Sequence, residues 1–200
     1  MSSLALSLDA LSMEANHANQ DTSSSEDEES ESSDSESEQS EDTEEALHAA
    51  SKTGDVGVIT QLLNDGAAID REAKGDGATP LFVACEHGRV DAVRLLLEKG
   101  AEVDRANEKG ATPLWIACLK DHVEVARLLL DKGAAIDRAK ETGATPLYIA
   151  CQNGHVDAAR LLLEKGAEVD RATKKGTTPL GIAQKKGHSS IVALLKEHQK

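Results

Sequence analysis

Cysteine, histidine and acid–base pairs are the residues of this sequence that could do chemistry. Cys85, Cys118 and Cys151 are of a type that binds soft metals, forms disulfides or acts as a nucleophile. His122, His155 and His188 suit metal ligation or proton transfer. Asp70-Arg71, Asp104-Arg105, Asp137-Arg138 and Asp170-Arg171 set an acid beside a base, as acid–base catalysis would need. Yet the cysteines recur at a step of 33, and so do the histidines. A site needs side chains that converge, and a constant step along an array keeps them apart. Neighbouring helices pack about 8–10 Å apart, whereas a disulfide needs Cα atoms about 4.4–6.8 Å apart. The cysteines are therefore expected to be buried, reduced and inert. The histidines are too far apart to share a metal and are expected to serve the turn between two helices. The repeated Asp reads as a turn-stabilising residue.

The same step governs the elements that hold these residues. Pro80, Pro113, Pro146 and Pro179 are spaced by 33, as are Gly100, Gly133 and Gly166. A fixed period over a whole segment means an array of like units. In Gly110–Ala139, Thr112 can cap a helix and Pro113 suits its first position. Leu114, Ile116, Ala117 and Cys118 give a short first helix. A second runs from about His122 to Lys132, with Val123, Val125, Ala126, Leu128, Leu129 and Leu130 on a wide apolar face. Gly133 then stands where a left-handed C-cap is needed. One such hairpin cannot bury both faces, so stability comes from stacked neighbours.

The motif Gly-x-Thr-Pro-Leu occurs at Gly77/Thr79/Pro80/Leu81, Gly110/Thr112/Pro113/Leu114, Gly143/Thr145/Pro146/Leu147 and Gly176/Thr178/Pro179/Leu180. A degenerate copy, Leu47-His48-Ala49-Ala50 with Leu62-Leu63 and Gly66-Ala67, comes first. These residues resemble the ankyrin repeat family over roughly Glu45 to Lys200. The resemblance implies an all-α solenoid of helix-turn-helix units with β-hairpin-like tips, its tips and first helices lining a concave groove. Repeats are expected at about 45–76, 77–109, 110–142, 143–175 and 176–200, the first and last as degenerate caps. Three departures stand out. The tip with Gly75-Asp76-Gly77 has one extra residue, Asp121 replaces a glycine between helices, and the usual His is Phe82, Trp115, Tyr148 or Gly181.

Residues 1–44 form a separate segment. Residues 1–45 hold 15 Asp and Glu and no Lys or Arg, which leaves 21 acids against 22 bases in the rest. Glu26 to Glu45 contains 12 acids and six Ser. Such a run buries too little apolar surface to offset its conformational entropy, so this acidic tail is expected to be disordered. Ser23, Ser24, Ser25, Ser33 and Ser35 each precede an acid by three residues, a pattern resembling sites of acid-directed kinases. Leu4, Leu6, Leu8, Leu11 and Met13 resemble a nuclear export or a repression motif, or are a chance cluster in a floppy terminus. No long apolar run or signal peptide is recognised, and the odd cysteine count suggests a reducing compartment. The expectation is an intracellular chain, in cytoplasm or nucleus.

No nucleophile elbow, phosphate-binding loop, kinase signature or zinc-ligand spacing occurs. The expectation is therefore no enzyme, no cofactor, no metal and no direct nucleic-acid contact, in a monomeric chain whose function is to bind another protein as adaptor, scaffold or inhibitor. The alternatives are a nuclear histone- or chromatin-binding protein using its acidic tail, and a tail-phosphorylated regulator of an enzyme. The resemblance implies that partners meet the tips and the exposed ends of the first helices. The candidates are Asp76, Glu86 and His87; Glu108, Lys109, Leu119 and Lys120; Glu141, Thr142, Gln152 and Asn153; and Lys174, Lys175, Lys185 and Lys186. Leu119 is expected to be an exposed anchor. Phe82, Trp115 and Tyr148 either bury between repeats, packing in place of the usual histidine hydrogen bond, or form a half-exposed ladder of contacts.

Overall fold

The computed structural model describes residues 32–199, with side chains from Thr43 onward. Among them are ten helices: α1 Ser32–Thr53, α2 Val56–Asn64, α3 Pro80–Glu86, α4 Val90–Glu98, α5 Pro113–Leu119, α6 Val123–Asp131, α7 Pro146–Asn153, α8 Val156–Glu164, α9 Pro179–Lys186 and α10 Ser189–His198. They form five hairpins. First helices stack on one another (α1, α3, α5, α7, α9), and second helices form a looser row behind them.

The start of each first helix follows from its Thr-Pro pair. Thr79, Thr112, Thr145 and Thr178 are extended, and each Oγ1 accepts a backbone N–H three residues on, at 3.2, 3.1, 3.1 and 3.1 Å. The cap satisfies hydroxyls that in the first three are almost wholly buried. Behind the caps, Leu81, Leu114 and Leu147 are fully buried, with Val93, Leu96, Leu129 and Leu162 from the second helices. Helices α2, α4, α6 and α8 each close on a residue that hands the chain to a left-handed glycine, Gly133 among them at φ 89°.

Two features differ from expectation. Helix α1 starts at Ser32, inside the segment expected to lack structure. Its C-terminal part is anchored by buried Leu47 and Ala50 and by an Arg71–Glu44 ion pair of 2.9 Å. Adding residues to an existing helix avoids the nucleation cost, which lets the turn-rich acidic sequence continue it. The tips contain no strand among the described residues. Each is a turn closed by two backbone bonds: the N–H of Ala73, Asn107, Lys140 or Thr173 donates to the carbonyl of Ala78, Ala111, Ala144 or Thr177, and the N–H of Gly77, Gly110, Gly143 or Gly176 donates back to the carbonyl of Ala73, Asn107, Lys140 or Thr173. Neighbouring tips are joined by Glu108 N–H to Asp76 O and Lys174 N–H to Thr142 O, both 3.0 Å.

Candidate functional site

The residues singled out for chemistry link the copies together. His122, His155 and His188 each lie at the N-cap of a second helix, yet their side chains do not cap it. Instead each Nε2–H donates to a carbonyl at the end of the preceding first helix: Glu86 at 3.1 Å, Leu119 at 3.0 Å and Gln152 at 3.1 Å. Arg89 makes the corresponding bond, Nε–H to Lys52 O at 2.9 Å. These carbonyls lie at a helix end and have no partner within the helix, so a donor from the next copy satisfies them. The Asp residues work in the other direction. Asp70, Asp104 and Asp137 accept the backbone N–H of Glu102, Ala135 and Glu168, each in the following copy, at 3.0 to 3.3 Å. They clasp neighbours, where the sequence suggested a role in their own turn. At Asp137, burial pushes the carboxyl above its ordinary value and the Glu168 amide pulls against that.

Cys85, Cys118 and Cys151 are fully buried and unpaired. Burial pushes all three thiols upward, Cys151 to about 12.

Several candidate contact residues converge. Trp115, Glu141, Thr142, Tyr148, Gln152, Lys174 and Lys175 line one depression of about 730 Å³ where the tips meet α5 and α7. Lys140, Ala144, Ile149 and Thr173 complete it. Lys140 was missed by the sequence reading, although it is the lone charge where the other tips carry Ala73, Asn107 and Thr173. Its ammonium sits 4.9 Å from the centre of the Trp115 ring, a cation–π contact.

The aromatics are not a half-exposed ladder. Phe82, Trp115 and Tyr148 are 4 %, 7 % and 9 % exposed, so they form the floor of the face. Trp115 also keeps a hydrogen bond, Nε1–H to Ala144 O at 3.1 Å, as His48 does in the first repeat with Ala78 O at 3.0 Å. Packing therefore supplements that bond at Trp115. Leu119 is half-buried against the core, so it is not the exposed anchor expected.

The remaining candidates are spread along the face. Asp76 is exposed, but its Oδ1 accepts Ala78 N–H in its own turn. Glu86 lies 3.9 Å from Lys120. His87 Nδ1 bonds to Val83 O and the Asn153 amide donates to Ile149 O, both on their own helices. Glu108, Lys109, Lys185 and Lys186 are exposed. Ser33 and Ser35 fall in the first turn of α1, while Ser23, Ser24, Ser25 and the leucine cluster lie outside the described residues.

Comparison with known proteins agrees with this architecture. A family model for ankyrin repeats in three copies matches residues 28–107 and 103–173, and one for many copies matches residues 153–195. The chain belongs to the ankyrin repeat family. It is 47% identical over 58 residues to human ankyrin repeat and SOCS box protein 11, covering 29% of this chain and 18% of that one. It is 40% identical over 58 residues to cortactin-binding protein 2 of Ornithorhynchus anatinus, covering 29% and 4%. It is 36% identical over 66 residues to ankyrin repeat, SAM and basic leucine zipper domain-containing protein 1 of the same species, covering 33% and 14%. The chain thus matches less than a fifth of each relative's length. Ankyrin repeats are generally non-enzymatic modules of protein–protein interaction. Among the described residues no helix is long and apolar enough to cross a membrane.

Proposed function

We infer that this chain is an adaptor, scaffold or inhibitor that grips one segment of a partner protein along its tips and first helices. The observation that carries the reading is the convergence of seven residues from two adjacent repeats on one depression with an aromatic floor. Aromatic floors with polar rims are where binding energy concentrates. The copies are locked by the His and Asp links, so the face is held ready and little ordering entropy opposes binding.

The test is affinity capture from native lysate with the full chain and with a Glu141→Lys, Lys174→Glu, Lys175→Glu variant. All three side chains are exposed, so the fold is spared. Loss of one specific partner from the variant supports the reading. Retention of every captured protein removes it. A second reading is a basic partner such as a histone, favoured by the 15 acids of residues 1–45. Its signature is capture that survives the groove changes and is lost when those acids are neutralised.

A further inference from the structure

The unpaired cations of this face gather at one end. Successive positions at the ends of the first helices read Glu86, Leu119, Gln152 and Lys185. The tips progress from Glu108-Lys109 through Glu141-Thr142 to Lys174-Lys175. In the earlier repeats two cations have partners: Lys120 lies 3.9 Å from Glu86, and Arg105 lies 3.0 Å from Glu72, while Lys109 pairs with no described residue. In the later repeats Lys165 pairs with Asp131 and Arg171 with Glu168, but the lysines of this face pair with no described carboxylate. Among the described residues, no carboxylate lies within ion-pair distance of Lys140, Lys174, Lys175, Lys185 or Lys186. Like charges gathered beside a low-dielectric floor focus a positive potential there.

We propose that the third-to-fifth-repeat end of the face docks an extended acidic peptide from a partner protein, with its carboxylates on Lys140, Lys174, Lys175 and Lys185 and an apolar side chain over Trp115 and Tyr148. The proposal rests on the groove reading above and adds the chemistry of the occupant. Adjacent copies are about 8–10 Å apart, close to three residues of extended chain at about 3.3 Å each. The matching sequence therefore carries an acid at every third position. Among the described residues, the Thr142 and Gln152 side chains hold no hydrogen bond, which leaves them for the peptide backbone.

The acids of α1 are rooted away from this site. They run from Asp34 to Glu45 on a helix held at the first repeat by Leu47 and by the Arg71–Glu44 pair.

The experiment uses the full chain, whose only tryptophan, Trp115, lies in the proposed site and reports occupancy by its fluorescence. The probes are short peptides of one apolar pattern carrying Glu, Gln or Lys at every third position. The expected result is binding of the Glu peptide about tenfold or more tighter than the Gln peptide, falling about tenfold between about 0.05 and 0.5 M salt. Lys174→Glu with Lys175→Glu should weaken it about tenfold while circular dichroism stays unchanged. Equal binding of the Gln or Lys peptide overturns the acidic occupant and leaves the groove reading standing. So does no binding of any peptide while partner capture still depends on Glu141, Lys174 and Lys175; if capture is also unaffected, both readings fall. A variant with Asp27→Asn, Glu28→Gln and Glu29→Gln binding about tenfold tighter than the parent would show that the chain's own segment competes, overturning the assignment to a partner.

Discussion

Gly154→Ala measures how strongly one histidine link holds neighbouring copies together. Gly154 ends α7 at φ 82°, and a Cβ there would meet Cε1 and Nδ1 of His188 at 2.9 Å. That ring donates to Gln152 O at 3.1 Å. Alanine at this position therefore carries two costs. The left-handed backbone costs about 1 kcal/mol. The displaced ring loses a hydrogen bond and leaves a helix-end carbonyl unpaired, about 1 kcal/mol more. Gly166→Ala is the control, since its φ is 88° and a Cβ would meet nothing within 4 Å. The expected losses are about 2 kcal/mol for Gly154→Ala and about 1 kcal/mol for Gly166→Ala. In a His188→Ala background the two should become equal, because no ring remains to be displaced. Urea unfolding followed by far-UV circular dichroism gives the four values. Equal losses in the single variants, or a gap that persists without His188, would refute the reasoning.

Three further outcomes follow from the same geometry. Trp115→Phe removes the donor to Ala144 O and weakens the cation–π contact of Lys140, and should destabilise the chain by about 1–2 kcal/mol in urea unfolding. Hydrogen bonding to Lys165 at 2.7 Å holds Asp131 below its ordinary value; the pairing is therefore present above that value and is lost as pH falls through the lowered one. Lys165→Met should move the Asp131 midpoint upward in a carboxyl-carbon NMR titration, and an unmoved midpoint would remove Lys165 as the cause. The thiols of Cys85, Cys118 and Cys151 should resist a disulfide reagent in the native state and all react in urea, because burial disfavours the thiolate that attacks.

Features set by local chemistry were legible in the sequence. The Thr-Pro pairs mark the first helices, and glycines such as Gly133 mark the ends of the second, because caps act within a few residues. Contacts between copies were harder to read. Asp104 lies 31 residues from the amide it clasps, and His122 lies 36 from its carbonyl, so neither link shows in any short window. Position alone placed Leu119 on the surface, whereas packing against the core half-covers it. The length of α1 was missed because composition argues against helix there, while an anchored hairpin lowers the cost of extending one. Asp121 was noticed only as an irregularity. The structure gives it φ 60°, the one left-handed non-glycine among the described residues, with its carboxylate 3.6 Å from His155 Nδ1. Asp is one of the few side chains that adopts this backbone readily.

The two kinds of link, one reaching back from each histidine and one reaching forward from each aspartate, also bear on how such a chain can grow. A copy inserted between two others would find a free carbonyl behind it and would meet an unclasped amide ahead. Duplication of a whole unit thus leaves every seam closed, whereas loss of part of one breaks a seam on each side. The array can gain or shed units as complete words, and its binding face lengthens or shortens without any redesign of the joints.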